Sequence, residues 1–190
     1  MKKDIENSIK DSISVKENVL RSQASNIEKA AQAIISSFKK GGKLLVFGNG
    51  GSAADSQHMA AELVGRFKMD RTGLPAIALT ANTSSITAIA NDYGYDCVFS
   101  RQIEALGAKG DVALGISTSG NSKNVIDGLK KAKALGMNTI ALAGCDGGKM
   151  KAEADISIIA QTPDTPRAQE SHIMIIHIIC SLIEKELFKK

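Results

Sequence analysis

Between Lys43 and Arg66 the chain reads KLLVFGNGGSAADSQHMAAELVGR, and this stretch restricts the fold more than any other. Leu44-Leu45-Val46-Phe47 is an apolar run bounded by glycine and too short for a free-standing helix, which predicts a buried strand of a parallel sheet. The chain then turns through Gly48-Asn49-Gly50-Gly51-Ser52. Beyond the turn Ala53, Ala54, Met59, Ala60, Leu63 and Val64 recur at helical spacing, with Ser52 placed as the N-cap. A strand, a glycine turn and a helix in succession aim backbone N–H groups and a helix N-terminus at an anion. The turn lacks G-x-x-x-x-G-K-[ST], and GNGGSA does not fit G-x-G-x-x-G with an acidic residue about 20 positions on, so mononucleotide and dinucleotide readings are both weak.

The same logic recurs downstream. Asp111–Ile116 reads as a strand, runs into Ser117-Thr118-Ser119-Gly120-Asn121-Ser122, and is followed by a helix over Lys123–Leu135. Serine and threonine hydroxyls beside a helix N-terminus supply what a phosphomonoester needs where no lysine is present. Further short apolar runs at Ala76–Thr80, Asn138–Ala143 and Ile156–Ile159 complete five strands alternating with helical segments. The expectation is an α/β fold, a doubly wound five-stranded parallel sheet flanked by helices, in which ligands sit at the carboxyl ends of the strands.

Two helices are expected ahead of the first strand. One is marked by Ile5, Ile9, Ile13 and Val15 to Leu20, the other by Ile27, Ala30, Ala31, Ile34, Ile35 and Phe38, ending at Gly41-Gly42. Their apolar surface exceeds what one small sheet covers, so residues 1–42 are read as an oligomer interface within a single domain spanning 1–190. The last helix is expected over Arg167–Phe188, after a break at Gln161-Thr162-Pro163-Asp164-Thr165-Pro166.

Charge and cysteine content narrow the class. A net charge of +4, from 24 basic and 20 acidic residues scattered along the chain, does not suggest nucleic-acid binding. Cys97, Cys145 and Cys180 are odd in number and lack C-x-x-C spacing, which argues against a disulfide framework and fits reduced thiols in a cytoplasmic protein. The longest apolar run, Ile173 to Cys180, is interrupted by His177 and falls far below membrane-spanning length, so no membrane partner is expected.

His58 and Glu62 lie four apart and project from one helix face. Such a pair also occurs as an ordinary solvated pair. His177, in AQESHIMIIHII, would be an unremarkable core histidine unless the last helix packs near the strand ends, where it could meet His58 and Glu62 in a group suited to proton transfer or a borderline metal. The Asn91-Asp92-Tyr93-Gly94-Tyr95 cluster reads as a turn whose polar groups would suit sugar hydroxyls.

The segments GNGGSAADSQHMAAELVGRF, ANDYGYD, ISTSGNS and TPRAQESHIMIIH resemble the phosphoheptose isomerases of the sugar isomerase (SIS) domain family, and the likeness covers nearly the whole chain. The resemblance implies conversion of sedoheptulose 7-phosphate to D-glycero-D-manno-heptose 7-phosphate through an enediol, toward heptose for lipopolysaccharide or capsule. It implies Glu62 as catalytic base and His177 as its acid/base partner, with His58, Glu62, Gln169 and His177 holding one zinc per subunit. Asn49, Gly50, Gly51, Ser52, Glu62, Asn91, Asp92, Ser117, Thr118, Ser119, Ser122 and Gln169 match substrate contacts. Similar enzymes are homotetramers with active sites at subunit interfaces. A rival reading is a non-catalytic SIS module that binds a phosphosugar or a replication-initiator partner. Gln169 and His177 are eight residues apart, about 12 Å along a helix and about 80° around it, which favours an interface arrangement for a shared ion.

Overall fold

The computed structural model describes residues 1–189. Strands β1 (Leu44–Gly48), β2 (Ala76–Ala78), β3 (Val112–Ser117), β4 (Asn138–Ala143) and β5 (Ile156–Ile159) form one all-parallel sheet in the order β2-β1-β3-β4-β5. The central strands β1 and β3 are buried along their whole length, as their unbroken apolar character requires when helices cover both faces. Alternate side chains feed two cores. Leu44, Val46, Val112, Leu114, Ile116, Ile140 and Leu142 face helices α1 (Lys2–Lys39), α2 (Gly51–Val64) and α7 (Thr165–Phe188). Leu45, Phe47, Ala113 and Ala141 face the layer made by α3 (Thr83–Tyr93), α4 (Val98–Leu106), α5 (Lys123–Ala134) and α6 (Met150–Glu153).

Four local expectations are corrected. The two leading helices are one continuous helix, α1. Residues 21–26 contain neither glycine nor proline to interrupt the hydrogen-bond ladder. Gln23, within that stretch, is buried and accepts the Ile159 N–H at 3.1 Å, so docking on β5 carries the helix across the gap between its two apolar segments. Ser52 is not the N-cap of α2. Gly50 takes that place with a φ of 56°, a left-handed conformation glycine adopts without strain, and the helix therefore begins at Gly51. Asn91 and Asp92 lie on the last turn of α3, which continues to Tyr93, and not in a turn of their own.

β2 stops at Ala78, two residues short of the expected run, because the Ala81 N–H bonds back to the Ala78 carbonyl and turns the chain toward α3. From β1 the chain moves outward to β2, then crosses back to place β3 on the other side of β1. That reversal is a topological switch point, where a crevice opens at the carboxyl ends of the strands. Cys97, Cys145 and Cys180 are all free thiols, and no helix among the described residues is long and apolar enough to cross a membrane.

Candidate active site

The loops after β1 and β3 flank this crevice, and they are tied to each other. Asn49 and Asn124 exchange two amide hydrogen bonds, both 2.9 Å, across the crevice, and the Tyr95 hydroxyl donates to Asn49 Oδ1 at 3.1 Å. In the second loop Ser117 Oγ lies 2.9 Å from Ser122 Oγ and 3.4 Å from Ser119 Oγ, while Ser119 Oγ accepts the Asn121 N–H. The serine hydroxyls expected to serve an anion are therefore gathered at the N-terminus of α5 before any ligand arrives. Thr118, between them, is partly exposed. Asn91 and Asp92 are exposed and hydrogen-bonded to one another at 2.9 Å.

A second group forms further along α2. His58 Nε2 lies 3.1 Å from Glu62 Oε1 and 3.0 Å from His177 Nε2 on α7, and one donor atom from each of the three residues lies within 4.8 Å of the others. The two imidazoles meet edge to face with centroids 5.1 Å apart, and the Phe67 ring stacks on His177 with centroids 5.6 Å apart. Three basic atoms turned toward one point call for a cation or a shared proton between them. A divalent ion held tetrahedrally through nitrogen at about 2.0–2.1 Å sets its donors about 3.3 Å apart, so two imidazoles and a carboxylate at this spacing fit a metal of borderline softness.

The two groups are held apart by the helix they share. Gln169 packs its amide directly on Gly51, and a Cβ added to the glycine would push that amide aside. Gln169 thus stands at the first turn of α2, whereas His177, two turns on, meets α2 at His58 and Glu62. Helices α2 and α7 run side by side in the same direction. Gly51 and His58 are about 10 Å apart along the axis, and Gly51 and Glu62 about 16 Å. Gln169 and Ser52 accordingly belong with the glycine turn, and His58, Glu62 and His177 form the distant group.

Several residues of the site carry no signal in the sequence. Asn124 looks like an ordinary polar residue of a helix until its pairing with Asn49 is seen. Asp55 lies on α2 one turn before His58. Burial pushes its carboxyl up to about 6, with the nearby His58 acting in the opposite direction, and its Oδ2 is buried without a hydrogen-bond partner. Phe67 follows the end of α2 and covers His177, a contact no periodicity announces.

A family model described as the SIS domain matches residues 9–144. The chain is 53% identical over 190 residues to a phosphoheptose isomerase of Clostridium acetobutylicum, covering 99% of this chain and 97% of that one. It is 59% identical over 164 residues to a phosphoheptose isomerase of Citrifermentans bemidjiense, covering 86% and 85% of the two chains. The solved structure of a phosphoheptose isomerase from Neisseria gonorrhoeae matches with a TM-score of 0.92 at 44% identity, covering 97% of this chain and 98% of that one. These likenesses, together with the strand order, place the chain in the phosphoheptose isomerase family of SIS-domain proteins.

Proposed function

We propose that this isomerase interconverts sedoheptulose 7-phosphate and D-glycero-D-manno-heptose 7-phosphate through an enediol, as a step of heptose biosynthesis. The observation that carries the reading is the convergence of His58, Glu62 and His177. A module that only bound a phosphosugar, or a protein partner, would need the glycine and serine loops but not a carboxylate and two imidazoles gathered at one point.

Ketose-to-aldose isomerisation moves a proton between adjacent carbons while a second proton passes between their oxygens. Glu62 takes the carbon-bound proton and returns it to the neighbouring carbon. His177 moves the proton between the oxygens. Asn49, Gly50, Gly51, Ser52, Ser117, Thr118, Ser119 and Ser122 hold the phosphate, so that binding energy far from the reacting carbons fixes their alignment. Asn91, Asp92 and Gln169 read the hydroxyls between. His58, Glu62 and His177 would hold one zinc per subunit, joined by a Gln169 from the chain opposite, and the ion would supply Lewis-acid polarisation of the carbonyl.

We assign the site to a subunit interface of a homotetramer, with the crevice loops of one chain opposite the α2–α7 group of another. Gln169 stands on Gly51, apart from the His–Glu–His group that it would complete as a fourth ligand, so a shared ion calls for a second chain. In support, α1 exposes Ile5, Ile9, Ile13 and Leu20, and α2 and α7 expose Val64 and Ile178, an apolar stripe suited to burial by a second copy. The free thiols fit a cytoplasmic location.

Incubation with sedoheptulose 7-phosphate in deuterated water is expected to place label at C2 of the product. Stripping metal with a chelator should abolish turnover, and added zinc should restore it. A protein that incorporates no label with zinc present would instead be a binding module.

A further inference from the structure

Glu184 and Arg71 form a buried ion pair whose side chains are only 2% and 1% exposed. Glu184 lies on α7 seven residues beyond His177, two turns along nearly the same face. Its carboxylate accepts the backbone N–H groups of Phe67, Lys68 and Met69 at 2.9, 2.9 and 3.1 Å, and Arg71 Nε at 2.9 Å. Arg71 in turn donates from Nη2 to the Glu62 carbonyl at 2.9 Å, and from Nη1 to the carbonyls of Leu63, Gly65 and Thr72 at 2.8, 3.3 and 3.0 Å.

The carbonyls of Glu62 and Leu63 belong to the open end of α2, where an arginine satisfies orphaned acceptors and complements the negative pole of the helix. The pair therefore grips both carriers of the proposed proton-transfer groups. One partner closes the helix end that bears Glu62. The other sits on the helix that bears His177 and fixes the loop whose Phe67 ring covers that imidazole.

We propose that Glu184 and Arg71 are positioning residues that set the separation and orientation of Glu62 and His177. The inference rests on the reading of those two residues as the proton-transfer pair. A network this saturated does more than close a loop, because it joins α2 to α7 beside the His–Glu–His group, and a small rotation of either helix would separate its donors. Partners standing behind ligands and reactive groups in this way typically account for about 10- to 100-fold in metal affinity or activity.

The test uses Glu184→Gln, which keeps the shape and removes the charge, and Arg71→Lys, which keeps the charge and removes the fork. Ile103→Val, a fully buried change on α4 in the opposite core layer, serves as the stability control. Melting temperature, kcat, KM and zinc affinity by competition with a chromophoric chelator are measured for each. The expected result is a fall in kcat or zinc affinity of about 10- to 100-fold with KM little changed, beyond any change in Ile103→Val. Wild-type kcat together with wild-type zinc affinity in folded Glu184→Gln overturns the proposal, and Arg71→Lys decides in the same way if Glu184→Gln does not fold. If Glu62→Gln turns over as fast as wild type, the reading of the catalytic pair is at fault, and zinc affinity of the two variants alone then decides the positioning role.

Discussion

Replacing Glu62 by glutamine is expected to lower kcat by about 10²- to 10⁴-fold while the protein remains folded and still binds substrate. The amide matches the carboxylate in shape and can still approach His58, which Glu62 Oε1 meets at 3.1 Å, but it cannot accept a proton from carbon. Because the phosphate loops stand about 16 Å away along α2, substrate affinity measured by calorimetry should change far less than turnover. The partner substitution separates the two proton transfers. In His177→Gln with zinc supplied in excess, solvent exchange at the substrate carbon is expected to persist after net conversion has fallen, because Glu62 is intact to take the carbon-bound proton while the transfer between oxygens is impaired. Full turnover by Glu62→Gln would show that the carbon base lies elsewhere.

The second large effect concerns stability and pH. His172 is completely buried on α7 and neither ring nitrogen makes a hydrogen bond of ordinary geometry; the Ala143 carbonyl lies close enough to oppose the burial only in part. Burial depresses its pKa from 6.5 to about 4, so the folded chain holds the ring neutral where the unfolded chain would protonate it. The unfolded state therefore binds more protons between those two values. The contribution is fully present above pH 6.5 and is lost as pH falls toward 4, by about 3 kcal/mol in all. His172→Leu removes the titrating ring while keeping an apolar side chain of similar size. Urea unfolding of both proteins at equal subunit concentration should therefore show the variant gaining on wild type by about 3 kcal/mol across that range. Parallel pH profiles would assign the acid sensitivity to other groups, of which Asp155 and Glu184, both held below the usual carboxylate range, titrate in the same direction. Burial works against that lowering in each. Hydrogen bonds from Thr139 and the nearby Lys133 outweigh it at Asp155, and the N–H groups of residues 67–69 with Arg71 do so at Glu184.

Much of the fold was legible because buried parallel strands have few ways to be written. Leu44–Phe47 and Val112–Ile116 are apolar without alternation, and each runs into a glycine- or serine-rich loop. The continuity of α1 was not legible. The stretch between Leu20 and Ile27, polar but for Ala24, reads as a break, and only the docking of Gln23 on β5 shows why the helix persists. His58 and Glu62 declare themselves by their spacing. Their contact with His177 spans 119 residues and depends on α2 and α7 lying parallel, which periodicity does not encode. Asn124, Asp55 and the Arg71–Glu184 pair look like common helix or loop residues, and their roles arise wholly from tertiary neighbours.

The offset between Gln169 on Gly51 and His177 on His58 has an effect on inheritance. Grip and chemistry occupy different lengths of one rod, so under the interface arrangement each polypeptide carries half of two separate workplaces. A subunit damaged in its anion cradle and another damaged in its acid–base group could then form one working site between them. Loss-of-function alleles in this gene would fall into two complementing sets, a behaviour closed to any enzyme whose site lies within a single chain.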